Sequence, residues 1–427
     1  MDTFKNIAHE LNLPSLAGGD GGRLYRGDKV IWSIVLLLVL TSLLIVYSST
    51  GSLAYKHNKG NTEFYLFKQM AFIIGGVLII YFAHRINYNM YSRVALWLYL
   101  LSLPLLMYTW FFGAQLNEAN RWIRLPLIGM TLQTSDLAKL GLFMLLARQL
   151  SRNQKVITDF KKGFLPLIIP VAATCLLIAP ANLSTALLVG ATSLLLMYMG
   201  RVQVKHILLA VGIAALPIAI LVTMAVTTHK ADDDTAVYEN TITVKAKSKG
   251  RIGTWVHRIQ DFLYAKNDKS PYQVQQAKIA IAKGGWIGLG PGNSQQRNFL
   301  PHPYSDYVFP IINEEYGAIG GIFIIFLYLV FLHRCIRLFQ KCPFAFGAFL
   351  ALGLSVSLVI QAMANMAVGV GLFPVTGVTL PLISMGGTSF LFTCLAIGII
   401  LSVSRNVEQV EGRQLPVIDK IDEAIPV

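Results

Sequence analysis

Charged residues are scarce in this sequence. Only 14% of its 427 residues are Asp, Glu, Lys or Arg, whereas 54% are hydrophobic, and the mean hydropathy is +0.56. A soluble domain carries nearer a quarter charged residues, so a soluble globular chain is excluded. Acidic residues are the scarcer sign, 22 against 36 Lys and Arg, which leaves a formal net charge of +14. That balance invites a nucleic-acid partner. The basic residues, however, lie between apolar runs rather than in one arm or stripe, so no nucleic acid is expected. Cysteine is nearly absent. Cys175, Cys335, Cys342 and Cys394 sit in or beside apolar runs without metal-ligand spacing and read as small buried side chains. The polar stretch from Met1 to Gly27 has no short apolar core ending in a cleavage site, so the first apolar run is expected to direct insertion. No repeat is clear enough to argue an inverted-repeat transporter. The glycine-rich GLGPGNS at 288–294 lacks the GK[ST] of a phosphate-binding loop and the strand–helix setting of a dinucleotide fingerprint.

Long apolar runs are abundant instead. They fall at 29–49, 66–83, 92–112, 135–150, 163–180, 183–200, 205–227, 307–332, 345–371 and 382–404. Runs of this length read as membrane-spanning helices. The expected fold is an all-α polytopic membrane protein with about ten transmembrane helices. The run at 135–150 is short and carries Asp136, Lys139 and Arg148 near its ends, as expected of a helix packed inside the bundle. An even number of spans puts both termini on one side. Arg148, Arg152, Lys155, Lys161 and Lys162 crowd one short loop, whereas the short loops of the other face hold only Lys56, Lys59, Lys68, Arg121, Arg124 and Lys139. Positive charge marks the cytoplasmic side. The expected order is a cytoplasmic tail at 1–28, a membrane domain at 29–404 and a cytoplasmic tail at 405–427. Loops 50–65, 113–134, 228–304 and 372–381 then face outward.

The large loop between spans seven and eight, 228–304, is not uniform. Its start, with Asp232, Asp233 and Asp234 in a row, reads as solvated. In RIGTWVHRIQDFLYAK, the residues Ile252, Trp255, Val256, Ile259, Phe262 and Leu263 share one helical face. Such a helix lies either on the outer leaflet or on the protein itself. A second amphipathic segment is expected over Tyr272–Lys283.

Chemistry concentrates on the outward side. The stretch from Gly284 to Glu315 runs from a Gly- and Pro-rich segment into span eight and carries Asp306 at its mouth. With Ser305 before it, Asp306 reads either as part of a helix cap or as a general base at a water–lipid boundary. Asp136 and Lys139, three apart on a helix, share a face and form either an ion pair or part of a binding site. Arg121, Trp122 and Arg124 suit a lipid phosphate, or an ordinary interfacial belt. Glu314 and Glu315, two turns into span eight, need partners inside the bundle. GLGPGNS is expected to form a tight turn beside the site. PVTGVTLPLISMGGTS at 374–389 has the prolines, glycines and hydroxyls of backbone that lines a cavity.

Taken in order, NRWI (120–123), QTSDLAKL (133–140), GLGPGNSQQ (288–296), FLPHPYSDYVFPIINEEYG (299–317) and PVTGVTLPLISMGGTS (374–389) resemble the SEDS family of bacterial cell-wall polymerases, from about Lys29 to Arg405. GPGNS and TGVTLP are more similar to the division-type branch than to the elongation-type branch. The resemblance implies peptidoglycan glycosyltransfer at the outer face of the bacterial cytoplasmic membrane, at the division septum. Lipid II, a disaccharide-pentapeptide on undecaprenyl pyrophosphate, would be the substrate. The resemblance puts the essential aspartate at Asp306 and the acidic and basic pair at Asp136 and Lys139, where Glu is usual at the first position. It implies substrate binding by Arg121, Trp122, Gln133, Asp136, Lys139, Ser294, Gln295, Arg297, His302, Ser384, Gly386 and Gly387. Two departures stand out: His302 replaces the usual Glu, and ANLST replaces PDLGT, which argues against a required charge at Asn182. No cofactor is called for, save a divalent cation (Mg or Mn) that could offset pyrophosphate charge. Nothing in the sequence marks a place for it. A class B penicillin-binding protein transpeptidase, division regulators and membrane lipid are the implied partners. An elongation-type polymerase, a lipid II flippase and a scaffold without catalysis remain open alternatives.

Overall fold

The computed structural model of the chain describes residues 27–50, 63–116, 119–124, 131–228, 251–264, 272–301 and 303–422. Each apolar run has become a helix: α1 (Lys29–Ser49), α2 (Glu63–Arg85), α3 (Tyr88–Phe112), α4 (Thr134–Arg152), α5 (Leu165–Ile178), α6 (Leu183–Met199), α7 (Val204–Thr227), and, after the amphipathic α8 (Arg251–Tyr264) and α9 (Tyr272–Gly284), α10 (Val308–Lys341), α11 (Ala345–Gly369) and α12 (Thr388–Asp422). Among the described residues, eight helices are long and apolar enough to cross a membrane, with α5 counted together with the π-turn Phe160–Phe164 that leads into it. Helix α6 is shorter, at 17 residues, and α4 carries Asp136, Lys139, Arg148 and Arg152. The protein is a multi-pass membrane protein. A spanning backbone must satisfy its polar groups internally, and capping completes this at helix ends. The Asp28 carboxylate accepts from the amides of Val30 and Ile31, and Asn87 caps α3.

Helices α4, α11 and α12 form the interior. Leu142, Leu146, Leu350, Ala351, Ile400 and Leu401 are all fully buried. Helix α4 packs on α3 and α11, and α12 packs on α2. Small residues permit that last approach: a Cβ on Gly398 would stand 3.1 Å from the Ile80 backbone. By contrast α7 stands at the edge, with Ala225 its one buried residue, and touches α6 and α8. Helix α8 leans on the protein: Gln260 donates to the Ala225 carbonyl at 2.9 Å and Arg258 to that of Val375 at 3.3 Å. Ile252, Phe262 and Leu263 remain exposed on it. The Asp232–Asp234 run lies outside the described residues.

Two features add to the all-α picture read from the sequence. A small sheet accompanies the helices. Between α3 and α4 the chain forms a three-stranded antiparallel sheet, β1 (Ala114–Leu116), β2 (Ala119–Arg124) and β3 (Thr131–Gln133). β1 and β3 are too short for an alternating pattern to show. The second feature is α12, which runs on to Asp422 instead of ending with its apolar run. Hydropathy detects where a helix leaves the membrane, not where it stops.

Helix α10 is broken at Gly317, whose φ is 67°. The GWIGLG loop fills the break. Gly285 and Trp286 carbonyls accept from the amides of Ala318 and Ile319, at 2.8 and 3.3 Å. In return the amides of Leu289 and Gly290 donate to the carbonyls of Glu314 and Glu315, at 2.9 and 3.0 Å. The two backbones touch, so no Cβ fits: one on Gly317 would stand 2.2 Å from the Trp286 carbonyl oxygen. Both buried glutamates find their partners here. Glu314 accepts from the Ser294 hydroxyl and from the amides of Gln295 and Gln296, and Glu315 accepts from the Ser48 hydroxyl. Arg297 donates to the Ser48 carbonyl at 2.8 Å. Gly317→Ala is therefore expected to cost about 2–4 kcal/mol of stability. Gly212→Ala, which meets open space on α7, is expected to change it by no more than about 0.5 kcal/mol. Thermal unfolding in detergent measures both, and equal melting would contradict the splice.

Candidate active site

Asp306 stands in the turn Pro303–Tyr307 ahead of α10. It does not belong to a helix cap. Tyr307 occupies the cap position and no side chain caps α10, while the Ser305 hydroxyl donates to Asp306 Oδ1 at 3.0 Å. The turn is sewn to the loop between α11 and α12. Asn365 Nδ2 reaches the Asp306 carbonyl at 3.0 Å and the Val378 carbonyl at 2.6 Å. The Ser384 hydroxyl donates to the Ser305 carbonyl at 2.6 Å, and the Met385 amide to the Tyr304 carbonyl at 2.9 Å. These bonds fix the backbone that carries the carboxylate.

A cavity of about 660 Å³ opens at this end of the bundle. Asp306, Arg121, Trp122, Gln133, Asp136, Lys139, Gly386 and Gly387 all line it. The sheet explains part of this convergence, because β2 and β3 pair Trp122 with Gln133 across one wall. Arg121 Nε is anchored on the Ala181 carbonyl at 2.8 Å. Its Nη1 and the Asp306 Oδ2 lie 3.4 and 3.6 Å from the point where a Cβ on Gly377 would stand. Gly377 has φ +65°, so a side chain there would be strained and would crowd both charged groups.

Further in, Lys139 and Asp136 form an ion pair at 2.7 Å, with only 17% and 7% of the side chains exposed. Lys139 also donates to Gln361 Oε1 at 3.0 Å, and Gln361 in turn donates to the Thr379 carbonyl. The second Asp136 oxygen accepts from Ser389 at the start of α12, whose hydroxyl also lies 3.1 Å from Gln133 Oε1. The expected ion pair is formed, and both of its residues line the cavity. Removing one partner strands the other at low dielectric. Lys139→Met is expected to cost about 3 kcal/mol, and Asp136→Asn in the same chain should restore most of it. A double-mutant cycle on unfolding measures the coupling; additive losses would contradict it.

Four other sequence-based candidates lie elsewhere. Ser294, Gln295 and Arg297 do not line the cavity: the Ser294 hydroxyl and Gln295 amide donate to Glu314, the Gln295 side chain accepts from Lys283, and Arg297 donates to Ser48. Ser384 is buried beneath the turn that it ties and is likewise no part of the lining. GLGPGNS thus forms its turn against α10 rather than beside the cavity. His302 lies outside the described residues. Asn182 caps α6 by accepting from the Thr185 amide at 3.2 Å, which an amide does as well as a carboxylate. Conversely, Lys68, Tyr65, Tyr304 and Gln361 line the cavity and were not picked from sequence. Gln361 and Asn365, one helical turn apart in a mostly apolar α11, are the readable signal. Burial, and then the neighbouring Tyr65 and Asp306, push the Tyr304 phenol above its usual range, so it remains a neutral donor. Among the described residues no group of three His, Cys, Asp or Glu side chains could hold a metal. Of the cavity's two carboxylates, Asp136 is already paired with Lys139.

A model of the FtsW/RodA/SpoVE family of cell cycle proteins matches residues 28–409. The chain belongs to that family. It is 31% identical to a probable peptidoglycan glycosyltransferase FtsW of Trichlorobacter lovleyi, over 90% of this chain and 95% of that protein. It is 30% identical to the stage V sporulation protein E of Bacillus subtilis, over 88% and 97%. Solved structures share the fold. A chain from "Structural coordination of polymerization and crosslinking by a peptidoglycan synthase complex" superposes with a TM-score of 0.67 at 23% identity, covering 90% of this chain and 99% of that one. The rod shape determining protein RodA of Thermus thermophilus gives 0.62 at 21%, covering 89% and 97%.

Proposed function

We propose that this family member is a peptidoglycan glycosyltransferase of the division type, which polymerises lipid II at the outer face of the bacterial cytoplasmic membrane, at the septum. The observation that carries the reading is the juxtaposition of Asp306 and Arg121 across Gly377, at the mouth of the cavity that also holds the Asp136–Lys139 pair. A base and a set of cations in one groove are what the reaction needs. The acceptor sugar 4-hydroxyl attacks the anomeric carbon of the donor, and its proton passes to the Asp306 carboxylate. The bond to the lipid pyrophosphate breaks with inversion, and the pyrophosphate leaves with its electron pair. Such a leaving group needs little protonation, so one carboxylate suffices where a glycosidase requires two. Arg121, Lys139 and Lys68 line the cavity as cations that can offset the charge developing on the pyrophosphate.

The names of the similar proteins support the peptidoglycan substrate, and the wording of the FtsW-named relatives supports division over elongation. A transpeptidase partner of the class B penicillin-binding type is supported by the solved neighbour, whose description couples polymerization with crosslinking. The experiment is polymerisation of lipid II by the purified protein, alone and with that partner. Asp306→Asn is expected to lower the rate by roughly 10²–10⁴-fold while lipid II binding and thermal stability are kept. Retention of full activity would remove Asp306 from the reaction.

A further inference from the structure

At the far end of the bundle lies a second cavity, of about 510 Å³. The helices α4 and α6 begin at the Asp306 cavity and end at this one, and α11 runs between the two in reverse. Along α4, Asp136 and Arg152 are separated by about 24 Å of helix, so the two cavities open at opposite faces of the membrane. The second has an apolar floor of Ile157, Phe339 and Phe349, and two cations at its rim, Lys155 and Arg201.

These cations come from separate connections, the turn after α4 and the turn after α6, and a close contact brings them together. Gly200 presses on the end of α4: a Cβ there would stand 2.7 Å from Leu150 Cδ2. Arg201 follows with φ 66°, a backbone conformation that a side-chain-bearing residue rarely adopts. Both cationic side chains are exposed, and among the described residues neither makes an ion pair or a side-chain hydrogen bond. The nearby Asp159 carboxylate is already engaged, accepting from the Lys162 amide at 2.8 Å. Positive charge in a loop needs no more than topology to explain it. Two cations lining one cavity with an aromatic floor suit a ligand that is both anionic and apolar.

We infer that this cavity binds an anionic phospholipid of the leaflet at that face, its phosphate between Lys155 and Arg201 and the start of an acyl chain against Phe339 and Phe349. The charge complementarity selects the lipid: a zwitterionic headgroup would bring its own cation to the rim. The inference is independent of the reaction proposed for the opposite cavity.

The test uses the full chain in nanodiscs of phosphatidylcholine with or without phosphatidylglycerol. Phosphatidylglycerol retained on the protein is read by native mass spectrometry, alongside thermal unfolding. The double variant K155Q/R201Q is expected to retain roughly tenfold less of it and to lose the stabilisation that phosphatidylglycerol gives the native chain. Its melting in phosphatidylcholine alone should match the native chain, which shows that it is folded. The double variant K161Q/K162Q removes the same charge from the adjoining turn, outside the cavity lining, and is expected to behave as native. An equal loss in both variants would overturn the site in favour of general surface charge. Displacement of the lipid by excess inorganic phosphate would overturn it in favour of a free anion.

Discussion

Backbone outside a helix is costly at the edge of a bilayer, because each amide and carbonyl there must find a partner within the protein. This demand shapes the site. The turn that carries Asp306 meets it through Asn365, Ser384 and Met385, all from the α11–α12 loop and the helix before it. The same bonds that pay the backbone's desolvation also hold one carboxylate at the mouth of a cavity. Preorganisation of that kind is what a base requires, since a displaced carboxylate would lose its reach to the proton.

The α10 splice supports the turn from the other side. Glu314 and Glu315 follow Asp306 by little more than two helical turns, and they grip the GPGNS loop and Ser48 of α1. Helix α10 therefore enters the membrane braced by a loop in its kink, and the segment before it has little freedom to move. In the cavity, charge is arranged by depth. The Asp136–Lys139 pair is locked into Gln361 and Ser389, whereas Asp306 and Arg121 flank Gly377 near the entrance. In the proposed reaction the pyrophosphate would meet Arg121 near the entrance while the lipid chain stays in the bilayer.

Much of this was legible in the sequence. Apolar runs gave the helices because membrane spanning leaves few other choices, and Asp136 with Lys139 was visible as charge where charge is expensive. The place of Asp306 needed the setting: its neighbours in sequence suit a helix cap, and the position of Tyr307 together with the bonds from distant loops excludes that cap. The sheet leaves no pattern in the sequence because β1 and β3 are three residues each. Ser294, Gln295 and Arg297 stand at the α10 splice and not in the cavity lining. Their motif is informative about tertiary packing against α10, and a polar, glycine-rich segment next to a site looks the same whether it binds substrate or a helix kink.

The central claim is spatial: one carboxylate, Asp306, meets the acceptor sugar while the pyrophosphate lies against the cations of the same cavity. An experimental structure of the chain with a lipid II analogue that cannot be transferred tests it most directly. The account predicts the acceptor 4-hydroxyl within hydrogen-bond reach of the Asp306 carboxylate and the pyrophosphate facing Arg121. A headgroup seated outside this cavity, or an Asp306 side chain without contact to either sugar, would contradict it.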